Sequence, residues 1–538
     1  MKTSEILLKD ILLPVGTSSA EALAEGEKRL KKRIPKSAYS GLSIFRRSVD
    51  SRKGRELRLV YSVRAVIDSR FAEEKTLSAL NAILLPSEEL VIDFGKEKSE
   101  APPTVVGFGP AGMFAALLLA ENGYRPLVLE RGDSVEARRE KVECFYRTRI
   151  LDEESNIQYG AGGAGTFSDG KLVTRVNDPR NRYILRRLTE FGAPQEILTE
   201  AKPHIGTDKL LGVVKHIENR IEACGGRILY RTRLEGFDDH TLYTSNGSFA
   251  RGPLLLAIGN SAFDTAEMLM KQGFTAEAKP ISAGFRIEHL QSDIERDLYG
   301  EHAGDPSLPR ASYSLSHRVG DRTAYSFCMC PGGEVVAATS SRGQVAVNGM
   351  SRFARDGVNA NAAILATLQP ADFSFDILKM IDFRRQLEKT AFACGGGDYS
   401  APITTVGTYL DPTKAVRPGR VLPSYMGGNA CREADFEPLL PKALHECIKG
   451  GLAGFARTMP SFRMPDAILT GTETRTSAPW RFKRDEETML ALGQNAVYPC
   501  GEGAGYAGGI TSAALDGLKT ALAVMKRYCP YEAKSESD

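Results

Sequence analysis

Short apolar runs and amphipathic stretches alternate along this chain, and their periods divide it. Ile6–Leu13 reads as a strand, and Ser19–Lys32 as a helix capped by Thr17 or Ser18, with an apolar stripe through Ala20, Leu23, Ala24 and Leu30. Pro35 stops it. Leu57, Leu59, Tyr61, Val63 and Ala65 alternate with Arg58 and Arg64, which predicts a hairpin of Ser43–Asp50 with Glu56–Ile67. A helix over Glu73–Ile83 and a strand over Leu90–Phe94 complete a β-α-β-β-α-β order, the ferredoxin-like sandwich, followed by a linker at Gly95–Pro103. Next come a strand at Thr104–Val106, an apolar helix through Leu117–Ala120 ended by Asn122-Gly123, and a strand at Arg125–Glu130. Lys209–Gly225 is an amphipathic helix and Arg227–Phe237 a strand. Thr241–Phe249 is a hairpin arm, and Pro253–Gly259 a buried strand. Beyond 280 the texture changes to shorter strands and Gly/Pro turns, with a helix expected over Arg352–Leu368. Val497–Cys500 (strand) and Thr511–Lys526 (helix) close the pattern, and the final KSESD is expected to be disordered.

The chemistry enters at the turn between the first strand and helix of the middle region. Gly107-Phe-Gly109-Pro110-Ala111-Gly112 joins Thr104–Val106 to its helix, and Glu130 ends the next strand, 23 residues after Gly107. In a dinucleotide-binding βαβ unit the first glycine permits the turn, the second lets backbone approach a pyrophosphate, and the third lets helix and sheet pack. The acid accepts from the ribose hydroxyls, and the helix dipole faces the phosphates. With 52 glycines in the chain a bare motif is weak; the strand, the helix and the acid give this one its weight. The glycine run Tyr159–Lys171 offers backbone N–H groups to an anion or a flat ring. Gly501-Glu502 sits at the carboxyl end of a strand, where ligands bind in open α/β sheets.

Composition narrows the class. Hydrophobic content of 42% and charged content of 25% over 538 residues imply a soluble protein of two or three domains. No apolar run is long enough to span a membrane, and the acid-bearing N-terminus is unlike a secretory signal. Nine scattered cysteines fit a reducing cytoplasm, and the seven histidines show no metal-site spacing. Residues 1–70 carry 16 Lys and Arg against 8 Asp and Glu, a basic surface read as a solvated face in preference to a nucleic-acid platform.

Taken together, these features resemble the two-dinucleotide-binding-domain flavoproteins of the glutathione-reductase-type FAD fold. Within them, the chain is similar to the family of uncharacterised FAD-dependent dehydrogenases. The closer marks are GGAGTFSDGKL (Gly162–Leu172), FCMCPGG (Phe327–Gly333), NGMS (Asn348–Ser351), ETRTSAP (Glu473–Pro479) and GEGAGYAGGITSAALDG (Gly501–Gly517). The resemblance implies an α/β fold with a ferredoxin-like module (1–95), an FAD-binding Rossmann-like domain in two parts (96–280 and 470–538) and an inserted α+β substrate domain (281–469). It places pyrophosphate at Gly107, Gly109, Pro110, Ala111 and Gly112, and adenosine at Glu130, Arg131 and Leu234. Gly163, Gly165, Thr166 and Lys171 would lie along the cofactor, with Ala257 and Gly259 at a neighbouring strand end. Gly501 and Glu502 would meet the ribitol, and Gly509, Ile510 and Thr511 the flavin's carbonyl edge.

The function expected on this resemblance is an FAD-dependent oxidoreductase, a dehydrogenase or reductase of unknown small-molecule substrate, with NAD(P)H as a transient donor. An RNA-modifying flavoprotein and a single-cofactor flavin hydroxylase are the alternatives. Only one complete GxGxxG unit is present, which argues against a separate nicotinamide domain. Cys328-Met-Cys330 is expected to be packing beneath the cofactor, since neither cysteine has a His or Lys close in sequence.

Overall fold

The computed structural model describes residues 2–52 and 54–532, so the 534–538 tail expected to be disordered lies outside the described residues. The fold is mixed α/β.

The N-terminal sheet is antiparallel, in the order Tyr39–Asp50, Arg58–Asp68, Thr3–Pro14, Ala82–Leu84. Helix Ser19–Lys31 covers it and starts at a capping box of Ser18 and Glu21, which satisfies N–H groups that helix geometry leaves free. Two expected elements are corrected. The second helix covers only Glu74–Ala79, because Asn81 turns to φ 50° and releases Ala82–Leu84 as the fourth strand. Leu90–Phe94 forms no strand; Leu90 and Ile92 instead pack half-buried on the core of the next unit. Nor is Gly95–Pro103 a free linker. Gly95 N–H donates to Met525 O at 2.7 Å, and Arg527 clamps the Glu97 carboxylate at 2.7 and 2.9 Å.

The middle of the molecule is a five-stranded parallel sheet, in the order Val497–Pro499, Leu254–Leu256, Thr104–Val106, Leu127–Leu129, Arg227–Leu229. Helices Pro110–Glu121 and Ile510–Arg527 share a core with it, small residues such as Ala115, Ala116, Ala514 and Ala521 allowing close approach. The stretch expected as one strand, Arg227–Phe237, is two. Arg231 takes φ 54°, its N–H reaches Gly132 O, and Leu234–Phe237 leaves to start a three-stranded meander.

The third unit is a seven-stranded sheet in the order Ser316–Val319, Arg322–Cys330, Asn359–Leu368, Ile281–Leu290, Ile468–Glu473, Ala401–Thr405, Cys431–Glu433. Its ten-residue central strands correct the expectation of short ones. Arg352–Leu368 is not a helix. The alanine-rich Asn359–Leu368 lies between two partner strands, and its slim side chains let Leu444, Ile448 and Phe455 of a covering helix settle onto the sheet. Helix propensity is a weak prior, overridden here by pairing on both edges. The boundary expected at 469/470 falls inside strand Ile468–Glu473. The chain passes between the parallel sheet and this one as an antiparallel pair, Ala276–Ala278 with Trp480–Phe482.

Because Leu90 and Ile92 belong to the middle core, two truncations should differ. Deleting 1–95 is expected to leave a core about 1–3 kcal/mol less stable than deleting 1–85. Urea unfolding of the two truncated proteins measures this, and equal midpoints would refute the packing of that segment.

Candidate functional site

The carboxyl ends of the parallel strands open onto a cavity of about 350 Å³. At its floor, Gly107 has φ 96°, and a Cβ there would lie 2.3 Å from Ala257 O. A Cβ on Gly112 would lie 1.9 Å from Gly107 O, so helix and strand meet backbone to backbone. Helix Pro110–Glu121 therefore starts at the cavity and presents its first N–H groups there.

Most of the residues expected at a site come together. Gly107, Gly109, Pro110, Ala111, Glu130 and Arg131 line the cavity, as do Gly163, Gly165, Lys171, Leu234, Ala257 and Gly259. Glu502, Gly509 and Ile510 complete the set. Four do not reach it: Gly112, Thr166, Gly501 and Thr511. Gly112 is packing beneath the floor. Thr166 and Thr511 are buried, their hydroxyls donating to Ala161 O (3.3 Å) and Leu172 O (2.8 Å). Gly501 N–H donates to Asp516 at 2.7 Å. These four shape the walls and offer no side-chain surface to the cavity.

Glu130 has work within the protein. Its carboxylate accepts from three backbone N–H groups: Phe108 (2.8 Å), Gly132 (2.9 Å) and Gly160 (3.0 Å). It thus ties the first glycine turn to the glycine run, with lone-pair capacity left for a ligand. Beside it Arg131 lies over the Tyr159 ring at 4.0 Å and donates to Glu154 and Asp264. The glycine run itself is fastened by Arg138, a residue the sequence reading passed over. Its guanidinium, fully buried, donates to the carbonyls of Asn156 and Ile157 (both 2.8 Å), Ala161 (2.6 Å) and Gly160 (3.2 Å). Burial lowers its pKa to about 10.

Glu502 lies at the end of strand Val497–Pro499 and accepts from Asn260 Nδ2 at 3.1 Å. Burial pushes its pKa up to about 7. The opposite wall comes from the seven-stranded unit: Phe327, Cys328, Asn348, Glu473, Arg475 and Thr476. These fall in FCMCPGG, NGMS and ETRTSAP, motifs that marked the resemblance; apart from the packing expected of Cys328 and Cys330, the sequence assigns them no role, and their unusual composition was the available signal. Behind them Arg286, with no exposed surface, donates to Glu473 (2.8 Å), Asn361 Oδ1 (2.8 Å), Cys328 O (2.6 Å) and Cys330 Sγ (3.4 Å). Lys171 reaches across from the glycine run, 2.8 Å from Asp169 and 3.5 Å from Cys330 Sγ. A hydrogen bond from Cys330, reinforced by Lys171 and Arg286, holds the Cys328 thiol well below its ordinary pKa, while burial holds Cys330 well above.

Comparison with known proteins places the chain. The family model described as "FAD-dependent protein, C-terminal domain-like" matches residues 280–476, which covers the seven-stranded unit. An uncharacterized protein of Clostridium beijerinckii is 42% identical over 516 residues, spanning 93% of this chain and 96% of its own length. The chain belongs to the family of this relative, and its residues 280–476 to the FAD-dependent family domain. Among solved structures, it is similar to CtdE in complex with FAD, at 9% identity over 80% of this chain and 87% of that one, with a TM-score of 0.32. It is also similar to halogenase PltM in complex with phloroglucinol and FAD, at 10% identity over 79% and 67%, with a TM-score of 0.35.

FAD is the cofactor of this FAD-dependent protein, and the residues present fit it. Gly109 and Gly163 face each other at the start of the helix, where a Cβ on Gly163 would sit 2.9 Å from Gly109 Cα. Backbone there is bare of side chains, as a pyrophosphate requires.

Two outcomes follow from this geometry. Replacing Arg138 by Met leaves the carbonyls of Asn156 and Ile157 without a donor and strips one donor each from Gly160 O and Ala161 O, which keep Gly163 N–H and the Thr166 hydroxyl; this should cost about 3 kcal/mol or more, with loss of FAD from the purified protein. Absorbance of released flavin and urea unfolding measure it. The second concerns Glu502, whose folded pKa (about 7) lies above its ordinary value of 4.5. Between those pH values the unfolded chain binds fewer protons than the folded one, so stability falls as pH rises, by about 3 kcal/mol in all. Glu502→Gln should remove this loss: FAD-free wild type and variant should match near pH 4 and diverge by pH 8, with the variant more stable.

Proposed function

We propose that the protein is an FAD-dependent oxidoreductase acting on a small molecule held between the parallel sheet and the seven-stranded unit. The observation that carries this reading is that one cavity is shared by both. Its floor is a glycine turn and a helix N-terminus, and its far wall belongs to the segment matched by the FAD-dependent family model. On this reading Gly107–Ala111 hold the pyrophosphate by main-chain N–H groups. Glu130 holds the adenosine ribose with Arg131 and Leu234 alongside, Glu502 the ribitol, and Gly509 and Ile510 the flavin edge, in a glutathione-reductase-type arrangement. When bound, FAD supplies two-electron chemistry; the protein supplies position, exclusion of water and electrostatics.

The rest of the chain is read in keeping with this. Residues 280–479 are the substrate domain, and the N-terminal sheet with its helices is a ferredoxin-like module that braces the core in preference to binding RNA. NAD(P)H visits the same cavity as electron donor, and the protein works in the cytoplasm. Among the described residues no helix is long and apolar enough to cross a membrane.

The purified protein should release FAD and not FMN on denaturation. Glu130→Ala should weaken FAD binding about ten- to a hundredfold, as expected for loss of charge-assisted hydrogen bonds worth roughly 1.5–3 kcal/mol. Fluorescence titration of the FAD-free protein checks this. Unchanged affinity would refute the ribose assignment. Anaerobic mixing with NADH and with NADPH tests the donor by bleaching of the flavin band. Bleaching by neither would count against nicotinamide.

A further inference from the structure

The pair Cys328 and Cys330, expected from sequence to be packing, occupies a built environment of its own. Strand Arg322–Cys330 pairs regularly with Asn359–Leu368 as far as Phe327 opposite Ala363 and resumes at Cys330 opposite Asn361. Cys328 and Met329 therefore face the single residue between, a bulge that re-aims side chains. Cys328 takes φ 44°, unusual for a residue with a Cβ, and Arg286 Nη2 holds its carbonyl there. Cys328 is half-buried and lines the cavity, whereas Cys330 is fully buried behind it with Sγ 3.2 Å from Cys328 O.

The charges around the pair do not cancel. Lys171, Arg286 and Arg355 face Asp169 and Glu473 in one buried cluster: Lys171 and Arg355 lie 2.8 and 3.0 Å from Asp169, and Arg286 2.8 Å from Glu473. One positive charge is in excess, and two when Glu473 carries a proton. Across the cavity burial raises Glu502 to about 7, so it carries a full charge only above neutral pH, and burial keeps the Tyr313 phenol neutral, so neither supplies a full compensating anion. A thiolate on the pair does. Both cations bond Cys330 Sγ, while the cavity opens on Cys328, so the negative charge they stabilise is shared by the pair and the sulfur facing the cavity is Cys328; simple packing requires neither those cations nor a strained bulge.

We propose that Cys328 and Cys330 form a redox-active dithiol whose substrate is a small disulfide entering this cavity. Cys328 Sγ, as thiolate, attacks one sulfur of R–S–S–R, forming a mixed disulfide and releasing RS⁻. Cys330 Sγ then attacks Cys328 Sγ, forming the Cys328–Cys330 disulfide and releasing the second RS⁻, to which the Cys330 proton passes. Two electrons leave the cysteine pair and reduce the substrate to one thiol and one thiolate. A disulfide across one intervening residue closes a small, strained ring and is readily reduced, so an excess of the small disulfide is what drives the pair to its oxidised form. The proposal goes beyond the FAD reading, and its test counts sulfur and not flavin turnover.

The FAD-loaded, fully reduced protein is treated with hydroxyethyl disulfide and examined by intact mass and peptide mapping. Wild type should lose two hydrogens, with the new bond mapped to Cys328 and Cys330. Cys330→Ser should stop at a hydroxyethylthio adduct on Cys328, and Cys328→Ser should form neither product. Iodoacetamide at pH 6 should alkylate Cys328 at least about tenfold faster than the remaining cysteines, an advantage lost in Lys171→Met and kept in Lys171→Arg. Each variant is scored only with its FAD retained, and the serine variants change no side-chain volume of consequence. Recovery of both thiols free from the wild type, or alkylation of Cys328 no faster than the remaining cysteines, would overturn the proposal whether or not FAD binds as assigned.

Discussion

A guanidinium with no exposed surface, Arg286, fixes the far wall of the cavity. It stands on a central strand of the seven-stranded sheet and bonds Glu473, Asn361 and the Cys328 carbonyl, each on a different strand. An unpaired charge at such a site costs several kcal/mol, so none of these partners can shift without the others. The rest of the site repeats the device. Arg138 fastens the glycine run, Arg475 bonds the buried Glu388 at 2.7 and 2.9 Å, and Arg355 bonds Asp169. For Arg286, Arg138 and Arg475 a regular element supports the arginine or its partner, and an irregular segment bordering the cavity is held by it; Arg355 and Asp169 instead join two irregular segments to each other. Rigid positioning of loops by buried hydrogen bonds is what a site needs when its walls are mostly backbone.

The parts legible in the sequence are those whose physics is local. The turn at Gly107–Gly112, its helix and Glu130 lie within one βαβ unit, and each residue type follows from a steric or hydrogen-bonding demand of its neighbours. The same holds for the helix cap, which the sequence leaves between Thr17 and Ser18 and which falls at Ser18. Where tertiary context decided, the reading failed. Asn359–Leu368 has the composition of a helix, and only its two flanking strands make it a sheet centre. Leu90–Phe94 has strand-like composition, yet its apolar residues are used against another unit's core.

The second wall was illegible for a different reason. Lys171 and Cys330 are 159 residues apart, and Arg286 and Glu473 are 187 apart. No spacing rule connects such pairs, so the absence of a neighbouring cation in sequence said nothing about the cysteines. Arg138 was missed because a helical arginine reads as solvated surface; only the fold reveals that its side chain points inward at a ring of carbonyls. Charged residues embedded in unusual local motifs, or lying among glycines, are the positions where such surprises concentrate.

The two walls differ in kind, and that difference constrains how they can move. The floor binds through N–H groups of fixed backbone, whereas the far wall carries surplus positive charge on side chains whose partners are buried. They are joined where the chain crosses between sheets, at Ala276–Ala278 and Trp480–Phe482. Trp480 is fully buried at this crossing, and its indole N–H donates to Gly503 O at 2.7 Å, on the residue after Glu502. A rotation of the seven-stranded unit about the crossing would therefore pull on the loop that carries Glu502, a carboxyl whose proton is balanced near neutrality. Displacing that loop into water would favour the ionised form, and bringing charge near it would change the same balance. The Trp480 bond does not act alone in this coupling: Phe482 N–H donates to Ala504 O, Lys279 and Arg481 donate to Gly505 O, and the Tyr506 hydroxyl donates to Phe482 O, so the crossing and the loop after Glu502 are fastened at several points.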